Sequence, residues 1–159
     1  MAQVTFISVG TLKEAYLKDA FSEYKKRISQ YAKIEEISLK EEEIRNEDDK
    51  SEISRALSVE GDKILAAIPK GAYVTALCVE GVQYDSPSLA KILSSAIDSS
   101  GKIAFIIGSS HGLSDKVKSA ADLKLSISKL TFPHQLMRVI LAESVYRSFT
   151  IINGKKYHK

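Results

Sequence analysis

The stretch 108–112, Gly-Ser-Ser-His-Gly, matches the pattern G-x-S-x-G that presents the nucleophilic serine of α/β hydrolases. Such a serine, here Ser110, needs a histidine as its base and an acid that orients the histidine. Either Asp115 or Asp122, followed by His134, supplies these residues in the order that the hydrolase fold requires. The residue types therefore permit a serine hydrolase, although that fold usually has a longer chain and a larger sheet.

The same turn has a second interpretation, because glycine lets backbone N–H groups approach a ligand closely. Predicted apolar strands end near Glu80, Gly108 and Ser128, and pockets in parallel α/β sheets form beyond the carboxyl ends of strands. The stretch 127–134 combines small, apolar and polar residues. It can fold around a flat heterocycle such as adenine, or it can be an ordinary connection between a strand and a helix.

Other motifs with a defined chemistry are missing from the sequence. It contains neither the phosphate-binding pattern G-x-x-x-x-G-K-[ST] nor G-x-G-x-x-G. The three histidines and the single cysteine lack the spacing of metal ligands, so we expect no metal site. Cys78 lies inside an apolar run, which predicts a buried and unreactive thiol.

Strands and helices alternate along the chain. Apolar or β-rich runs predict strands at 4–9, 34–39, 73–79, 103–107 and 123–128. Helical spacing of apolar residues predicts helices within 11–33, over 51–67, from a cap at Ser86 or Ser88 to Ser100, over 114–121 and over 133–152. Since the strands are apolar continuously, we predict a single α/β domain over 1–159, with a mostly parallel sheet covered by helices on both faces.

The lengths of the apolar stretches and the distribution of charge indicate where the protein works and what it can bind. No apolar stretch approaches the roughly 20 residues of a membrane helix, and the N-terminus lacks the features of a signal peptide, so we expect a cytoplasmic protein. Residues 34–62 carry eleven acidic and four basic side chains, whereas 11–33 and 129–159 are basic. This asymmetry can steer a polyanion to one face, or it can reflect ordinary solvated helices.

The last predicted helix, 134–152, is apolar around its whole circumference. A helix of this kind needs cover on every side, and the sheet of a small protein covers only one. We therefore predict a homodimer that is built partly on this helix.

The C-terminal third of the chain carries a specific resemblance. The runs 130–134 (LTFPH), 138–139 (RV), 142–143 (AE), 146–147 (YR) and 157–158 (YH) closely resemble the RlmH family, which are ribosomal RNA methyltransferases of the SPOUT class. The likeness extends over essentially the full length, including the strand that ends in "ALCVEG" and the turn "IIGSSHGLS".

The resemblance implies several properties that the patterns above do not reveal. The fold would be a parallel sheet with a C-terminal trefoil knot over about 103–152, and the protein would be an obligate dimer through the knot helix. The cofactor would be S-adenosylmethionine. The reaction would be N3-methylation of a pseudouridine in helix 69 of bacterial 23S rRNA, within the assembled ribosome.

By position, the resemblance also assigns site residues. The cofactor would contact Leu77, Gly108, Ile127, Ser128, Lys129, Leu130, Thr131 and Phe132. The turn departs from the family, which usually has two glycines followed by a small residue or proline, whereas Ser109 follows Gly108 here. We assign no role to His111 and expect Ser110 not to be a nucleophile.

On the RNA side, the resemblance points to Arg147, Tyr157 and His158 as catalytic candidates. Arg147 follows Glu143 by four residues, a spacing that forms an ion pair on a helix; the pair either orients the guanidinium or only neutralises it. Lys155 and Lys156 would bind phosphates beside stacking aromatic rings. Without the resemblance, this tail also suits a frayed terminus or a non-catalytic RNA-binding module.

Overall fold

The computed structural model describes all 159 residues and contains five strands and five helices. In chain order these are β1 (Ala2–Val9), α1 (Ala15–Ile28), β2 (Ala32–Leu39), α2 (Lys50–Ala67), β3 (Tyr73–Val82), α3 (Ser86–Ser100), β4 (Lys102–Ile107), α4 (Asp115–Ala120), β5 (Leu123–Leu125) and α5 (His134–Ile152). The predicted alternation of strands and helices is therefore confirmed.

The five strands form one sheet in the order β2-β1-β4-β3-β5, and every neighbouring pair is parallel. All carboxyl ends therefore lie at the same edge of the sheet, where the connections from β3, β4 and β5 begin. This arrangement confirms the predicted α/β class and brings the distant segments 78–82, 108–114 and 126–133 to one end of the molecule.

Helices cover both faces of the sheet. On one face, α1, α3 and α5 pack over a core that includes Phe6, Phe105 and Leu141, all fully buried. On the other face, α2 and α4 cover a smaller core through Ile64 and Val117. Because each central strand contributes side chains to both cores, its residues are apolar continuously.

Two strands differ in length from the prediction. β5 ends at Leu125, so the predicted strand residues 126–128 belong to the following loop. β3 continues to Val82, but its register against β5 shifts between Leu77 and Val82, because the chain bulges over the residues in between. Within the bulge, a Cβ on Gly81 would lie 2.7 Å from the backbone of Leu125, which explains why a residue without a side chain occupies this position.

Helix boundaries also differ in detail. α1 ends at Ile28 because Ser29 and Gln30 hydrogen-bond back to carbonyls of the last turn, and Tyr31 leaves the helix to stack on Phe149. The cap of α3 is Asp85, whose carboxylate accepts the N–H of Ser88, and not either of the predicted serines. Ser114 caps α4, because its hydroxyl accepts the N–H of Val117.

The start of α5 is fixed to the end of β1 by a buried arginine. The Arg138 side chain is 1 % exposed and donates from Nη2 to the carbonyl oxygens of Val9 at 2.7 Å and Gly10 at 3.0 Å. Burial lowers the pKa of Arg138. Since β5 lies at the sheet edge and is separated from β1 by β3 and β4, the loop 126–133 must cross the carboxyl ends of these two strands.

Candidate active site

A cleft of about 320 Å³ lies at the carboxyl ends of β3, β4 and β5. Three segments line it: 77–80 near the end of β3, 107–113 from the end of β4 and 125–132 from the end of β5. Within the third segment, Lys129 does not belong to the lining. Lys118, His134 and Met137 complete the wall. The three strand ends predicted from the sequence to form a pocket therefore do lie around one cavity.

The loop 126–132 offers unpaired backbone donors to this cleft. Within the loop, only Ser126 and Leu130 donate their N–H groups to an acceptor of the chain. The N–H groups of Ile127, Ser128, Lys129, Thr131 and Phe132 have no such acceptor. Ile127, Ser128 and Phe132 are half-buried, so their N–H groups are partly shielded from water and suit a ligand that presents acceptors to the backbone.

The glycine turn after β4 is held by its own backbone. A Cβ on Gly108 would overlap the carbonyl group of Gly112, so the glycine at 108 is needed inside the turn and does not simply leave room for a ligand. Gly112 has φ +86° and donates its N–H to the Ser109 carbonyl at 2.9 Å. The Ser109 hydroxyl accepts the N–H of His111 at 3.3 Å, with φ negative at Ser109. The departure from the family turn is therefore accommodated without strain.

Charged groups stand at the rim of the cleft. Lys118 forms an ion pair with Glu80, and this contact raises the pKa of Lys118 and lowers that of Glu80. Cys78 is half-buried in the wall and not fully buried as predicted. Burial, followed by the nearby Glu80 carboxylate, raises the pKa of its thiol, so Cys78 remains protonated and weakly nucleophilic near neutral pH.

The hydrolase constellation does not assemble. Ser110 is exposed and forms no hydrogen bond with a histidine. Asp122 instead accepts the N–H of Val74 at 2.7 Å, and His111 lies 3.8 Å from Glu47. His134 lines the cleft, but burial lowers its pKa and no acid orients its ring.

Seven of the eight residues predicted to contact the cofactor line the cleft, namely Leu77, Gly108, Ile127, Ser128, Leu130, Thr131 and Phe132. The eighth, Lys129, is exposed and lies outside the lining. The predicted RNA-side residues lie elsewhere, because the lining includes no residue beyond Met137.

Two of the predicted catalytic residues, Arg147 and Tyr157, meet at a single carboxylate oxygen, and the third, His158, contacts Arg147. Oε1 of Glu143 accepts from Arg147 Nη2 at 2.5 Å and Nε at 3.1 Å, and from the Tyr157 hydroxyl at 3.1 Å. Arg147 Nη1 lies 3.3 Å from His158 Nδ1. The tail therefore folds back along α5, and its aromatic ring packs edge-on against Tyr146.

The environment of Tyr157 determines its protonation. Burial, followed by the hydrogen bond to Glu143, raises the pKa of Tyr157 to about 12. The guanidinium of Arg147 lies 4.7 Å from the centre of the Tyr157 ring. Tyr157 is therefore a neutral hydrogen-bond donor at physiological pH, whereas Lys155 and Lys156 are exposed and form no ion pair.

Sequence reasoning missed the role of Arg138. The residue belongs to the resembling motif, but its burial and its bonds to β1 were not predicted. The available signal was a single cation inside the otherwise apolar run 136–142, since a buried charge in such a position must find buried acceptors.

Two further classes of site find no support in the chain. No group of three or more histidine, cysteine or acidic side chains is arranged to hold a metal ion. None of the helices combines the length and the apolar composition that crossing a lipid bilayer requires.

Comparison with known proteins identifies the family of the chain. A family model described as predicted SPOUT methyltransferase matches residues 2–158. A relative from Caldicellulosiruptor bescii named ribosomal RNA large subunit methyltransferase H is 49% identical over 98% of this chain and 99% of its own. A protein of the same name from Shouchella clausii is 46% identical, again over 98% and 99% of the two chains.

Among solved structures, the tRNA (m1G37) methyltransferase from Aquifex aeolicus has a similar fold. The TM-score is 0.54 at 15% sequence identity, over 91% of this chain and 69% of the other. Such a likeness supports the fold alone. Together with the family match and the relatives above, it shows that the chain belongs to the RlmH family of SPOUT methyltransferases.

Proposed function

We propose that this protein uses S-adenosylmethionine to methylate large-subunit ribosomal RNA in the cytoplasm, and that its target is N3 of a pseudouridine in helix 69 of bacterial 23S rRNA within the assembled ribosome. The observation that carries the proposal is the cleft at three strand ends, lined by a loop in which four residues have unpaired backbone donors, namely Ile127, Ser128, Thr131 and Phe132. The relatives named as ribosomal RNA large subunit methyltransferases support the substrate class.

The residues of the cleft fit the cofactor. S-adenosylmethionine supplies an electrophilic methyl group on a sulfonium. The free N–H groups of the loop suit the edge nitrogens of adenine, and Leu77, Ile127 and Phe132 offer apolar surface to the faces of the ring. Leu130 and Thr131 are the remaining side chains of the loop that would adjoin the cofactor, beside Ser128 and the turn at Gly108.

Methyl transfer from a sulfonium needs alignment and exclusion of water more than covalent help. The acceptor N3–H of a pyrimidine is weakly acidic, so a base or a nearby cation assists its ionisation. Tyr157 cannot act as the base near neutral pH, because its pKa is about 12 and its proton is donated to Glu143. We therefore propose that Tyr157 positions Arg147, through its ring and through its hydrogen bond to Glu143.

Arg147 and His158 are then the groups of the tail that act on the RNA. The pKa of Arg147 is raised, chiefly by its hydrogen bond with Glu143, so it serves as a permanent cation that stabilises a developing negative charge. His158, held beside Arg147, is the candidate base. Lys155 and Lys156 would hold neighbouring phosphates.

The functional unit is proposed to be a homodimer through α5. Ile140 and Ile151 lie three turns apart on α5, outside the main core, and both are only half-buried. On the neighbouring α1, Tyr16 is 68% exposed. A second copy would cover these side chains. Sedimentation as a monomer at micromolar concentration would contradict the dimer.

We further propose that residues 103–152 form the trefoil knot of the SPOUT class. The crossing of the loop 126–133 from β5 to β1 supports this topology. A knot is rare because it requires one segment to be threaded through another. In the proposed knot, the threaded segment would include the loop 126–133, which also lines the cleft.

The experiment that tests the proposed function is transfer of a labelled methyl group. Ribosomes purified from a strain that lacks the protein are incubated with it and labelled S-adenosylmethionine, and the modified base is mapped. We expect one labelled pseudouridine in helix 69. Labelling of another nucleotide would correct the target, and failure of the donor to bind in calorimetry would overturn the proposal.

A further inference from the structure

Exposed apolar side chains concentrate beside the cleft. The chain has six large hydrophobic residues that are exposed, and four of them lie on the segments around the carboxyl ends of β3 and β5, namely Val79, Val82, Tyr84 and Leu130. Their exposed fractions are 69%, 53%, 38% and 71%. Large apolar patches on soluble proteins mark sites of interaction.

These side chains belong to one rim. Val79 and Leu130 line the same cleft from opposite segments. Val82 is paired with Leu125 at the end of β5, and its carbonyl oxygen accepts the N–H of Ser126 at 3.0 Å. The patch therefore follows the β5 side of the cleft mouth, where the proposed cofactor loop begins.

Two unpaired lysines accompany the apolar side chains. Lys124, on β5, and Lys129, in the loop, are both exposed, and neither has a carboxylate within ion-pair distance. The acidic group of this region, Glu80, is already paired with Lys118. We call Val79, Val82, Leu130, Lys124 and Lys129 the β5 rim; its net charge is positive.

We propose that the β5 rim binds the single-stranded RNA next to the target nucleotide. In this arrangement Lys124 and Lys129 contact phosphates, and the apolar side chains contact the faces of the bases. Proteins hold single-stranded RNA with cations along its phosphates and with side chains that pack on its unstacked bases, and in the rim aliphatic side chains would take the second role. The inference rests on the proposed function, because it places the RNA strand beside the cleft that holds the methyl donor.

RNA fits the rim better than a second copy of the chain does. A second copy would have to bring carboxylates to both lysines, or leave two charges unpaired inside an apolar contact, which is costly. RNA supplies one phosphate per nucleotide together with apolar base faces. The inference also gives a role to Lys129, which lies outside the lining of the cleft.

The test compares two double variants in methyl transfer to ribosomes. Lys124→Ala with Lys129→Ala removes the charges of the rim. The matched control, Lys33→Ala with Lys70→Ala, removes two exposed lysines at the amino end of the sheet. We expect the rim variant to raise the KM for ribosomes about tenfold with kcat nearly unchanged. We also expect the slope of log KM against the logarithm of the salt concentration to fall by about 1.4, because two phosphate contacts are lost.

A third variant isolates the apolar part of the rim. Val82→Ser should raise the same KM roughly threefold and leave the salt slope unchanged, since it removes apolar contact area and no charge. Calorimetry should give the wild-type dissociation constant for S-adenosylmethionine in all three variants.

Three results would overturn the inference. The first is an equal rise of KM in the control pair. The second is weaker binding of S-adenosylmethionine by the rim variant, which would indicate that Lys129 contacts the cofactor. The third is dissociation of the rim variant in sedimentation, which would make the rim a contact between subunits. A wild-type protein that neither binds the donor nor transfers its methyl group would instead refute the proposed function.

Discussion

At the scale of single residues, the turn 108–112 has the sequence pattern of a nucleophilic serine but not its structure. Ser110 has the spacing of a nucleophile, but it is exposed and has no base. Gly108 is required because the Gly112 carbonyl occupies the space of a Cβ. The turn therefore depends on its own backbone contacts, and its shape fixes one wall of the cleft.

Gly108→Ala should consequently weaken donor binding through distortion of the turn. The added methyl group has to displace the backbone of Gly112, so we expect a loss of roughly 1–3 kcal/mol in unfolding free energy. We also expect a rise of about tenfold or more in the dissociation constant for S-adenosylmethionine. Ser110→Ala, in the same turn but exposed, is the control and should retain wild-type affinity. Unchanged calorimetric affinity of the glycine variant would refute the placement of the cofactor.

At the scale of elements, the acidic segment 40–49 is attached to α2 by backbone-to-carboxylate bonds. The Glu60 carboxylate is 2% exposed and accepts the N–H of Glu42 at 2.9 Å. Glu52 accepts the N–H groups of Arg45 at 2.6 Å and Asn46 at 3.2 Å. A segment without regular secondary structure is thus ordered by the helix that follows it.

Glu60 should make this element sensitive to pH. Burial raises the pKa of Glu60 above its ordinary value of 4.5. The group's stabilising contribution is therefore complete below pH 4.5 and is lost as pH rises through the folded-state pKa. Glu60→Gln keeps an acceptor for Glu42 but cannot ionise, so its unfolding free energy should rise relative to the wild type between pH 4 and pH 8.

Urea unfolding at several pH values measures this difference. Glu43→Gln, which removes an exposed carboxylate from the same segment, is the control and should show no such trend. A constant difference between Glu60→Gln and the wild type over this range would show that Glu60 has the same pKa in both states.

At the scale of the whole molecule, the two groups of predicted site residues occupy different regions. All predicted cofactor residues but Lys129 line the cleft at the carboxyl end of the sheet, whereas Arg147 and Tyr157 meet at Glu143 on α5 and His158 contacts Arg147. The proposed donor site and the proposed RNA-side site should therefore be separable by mutation, and the proposed reaction requires the two regions to come together, within one chain or between two copies.

Deletion of residues 155–159 should abolish methyl transfer and leave donor affinity nearly intact. None of these residues lines the cleft, but Tyr157 and His158 hold Arg147 through contacts that the deletion removes. Removal of Lys159 alone retains those contacts and serves as the control. Methyl transfer and calorimetric binding are measured on the same preparations, and an equal loss of both would show that the tail is structural.

The sequence by itself determined the α/β class, the order of the elements and the family. Apolar runs and helical spacing are local signals, and the motifs at 130–134 and 146–147 are specific in composition. It also predicted most of the cleft, since parallel strands bring their carboxyl ends to one edge.

Only the tertiary structure decided the contacts between distant segments. The end of β5 at Leu125, the burial of Arg138 against β1 and the return of Tyr157 to Glu143 all depend on packing between parts of the chain that are far apart. Local propensity carries no information about such contacts, because the free energy of a long-range hydrogen bond depends on the burial around it. For the same reason, the exposure of Lys129 and the separation of the tail from the cleft became visible only in three dimensions.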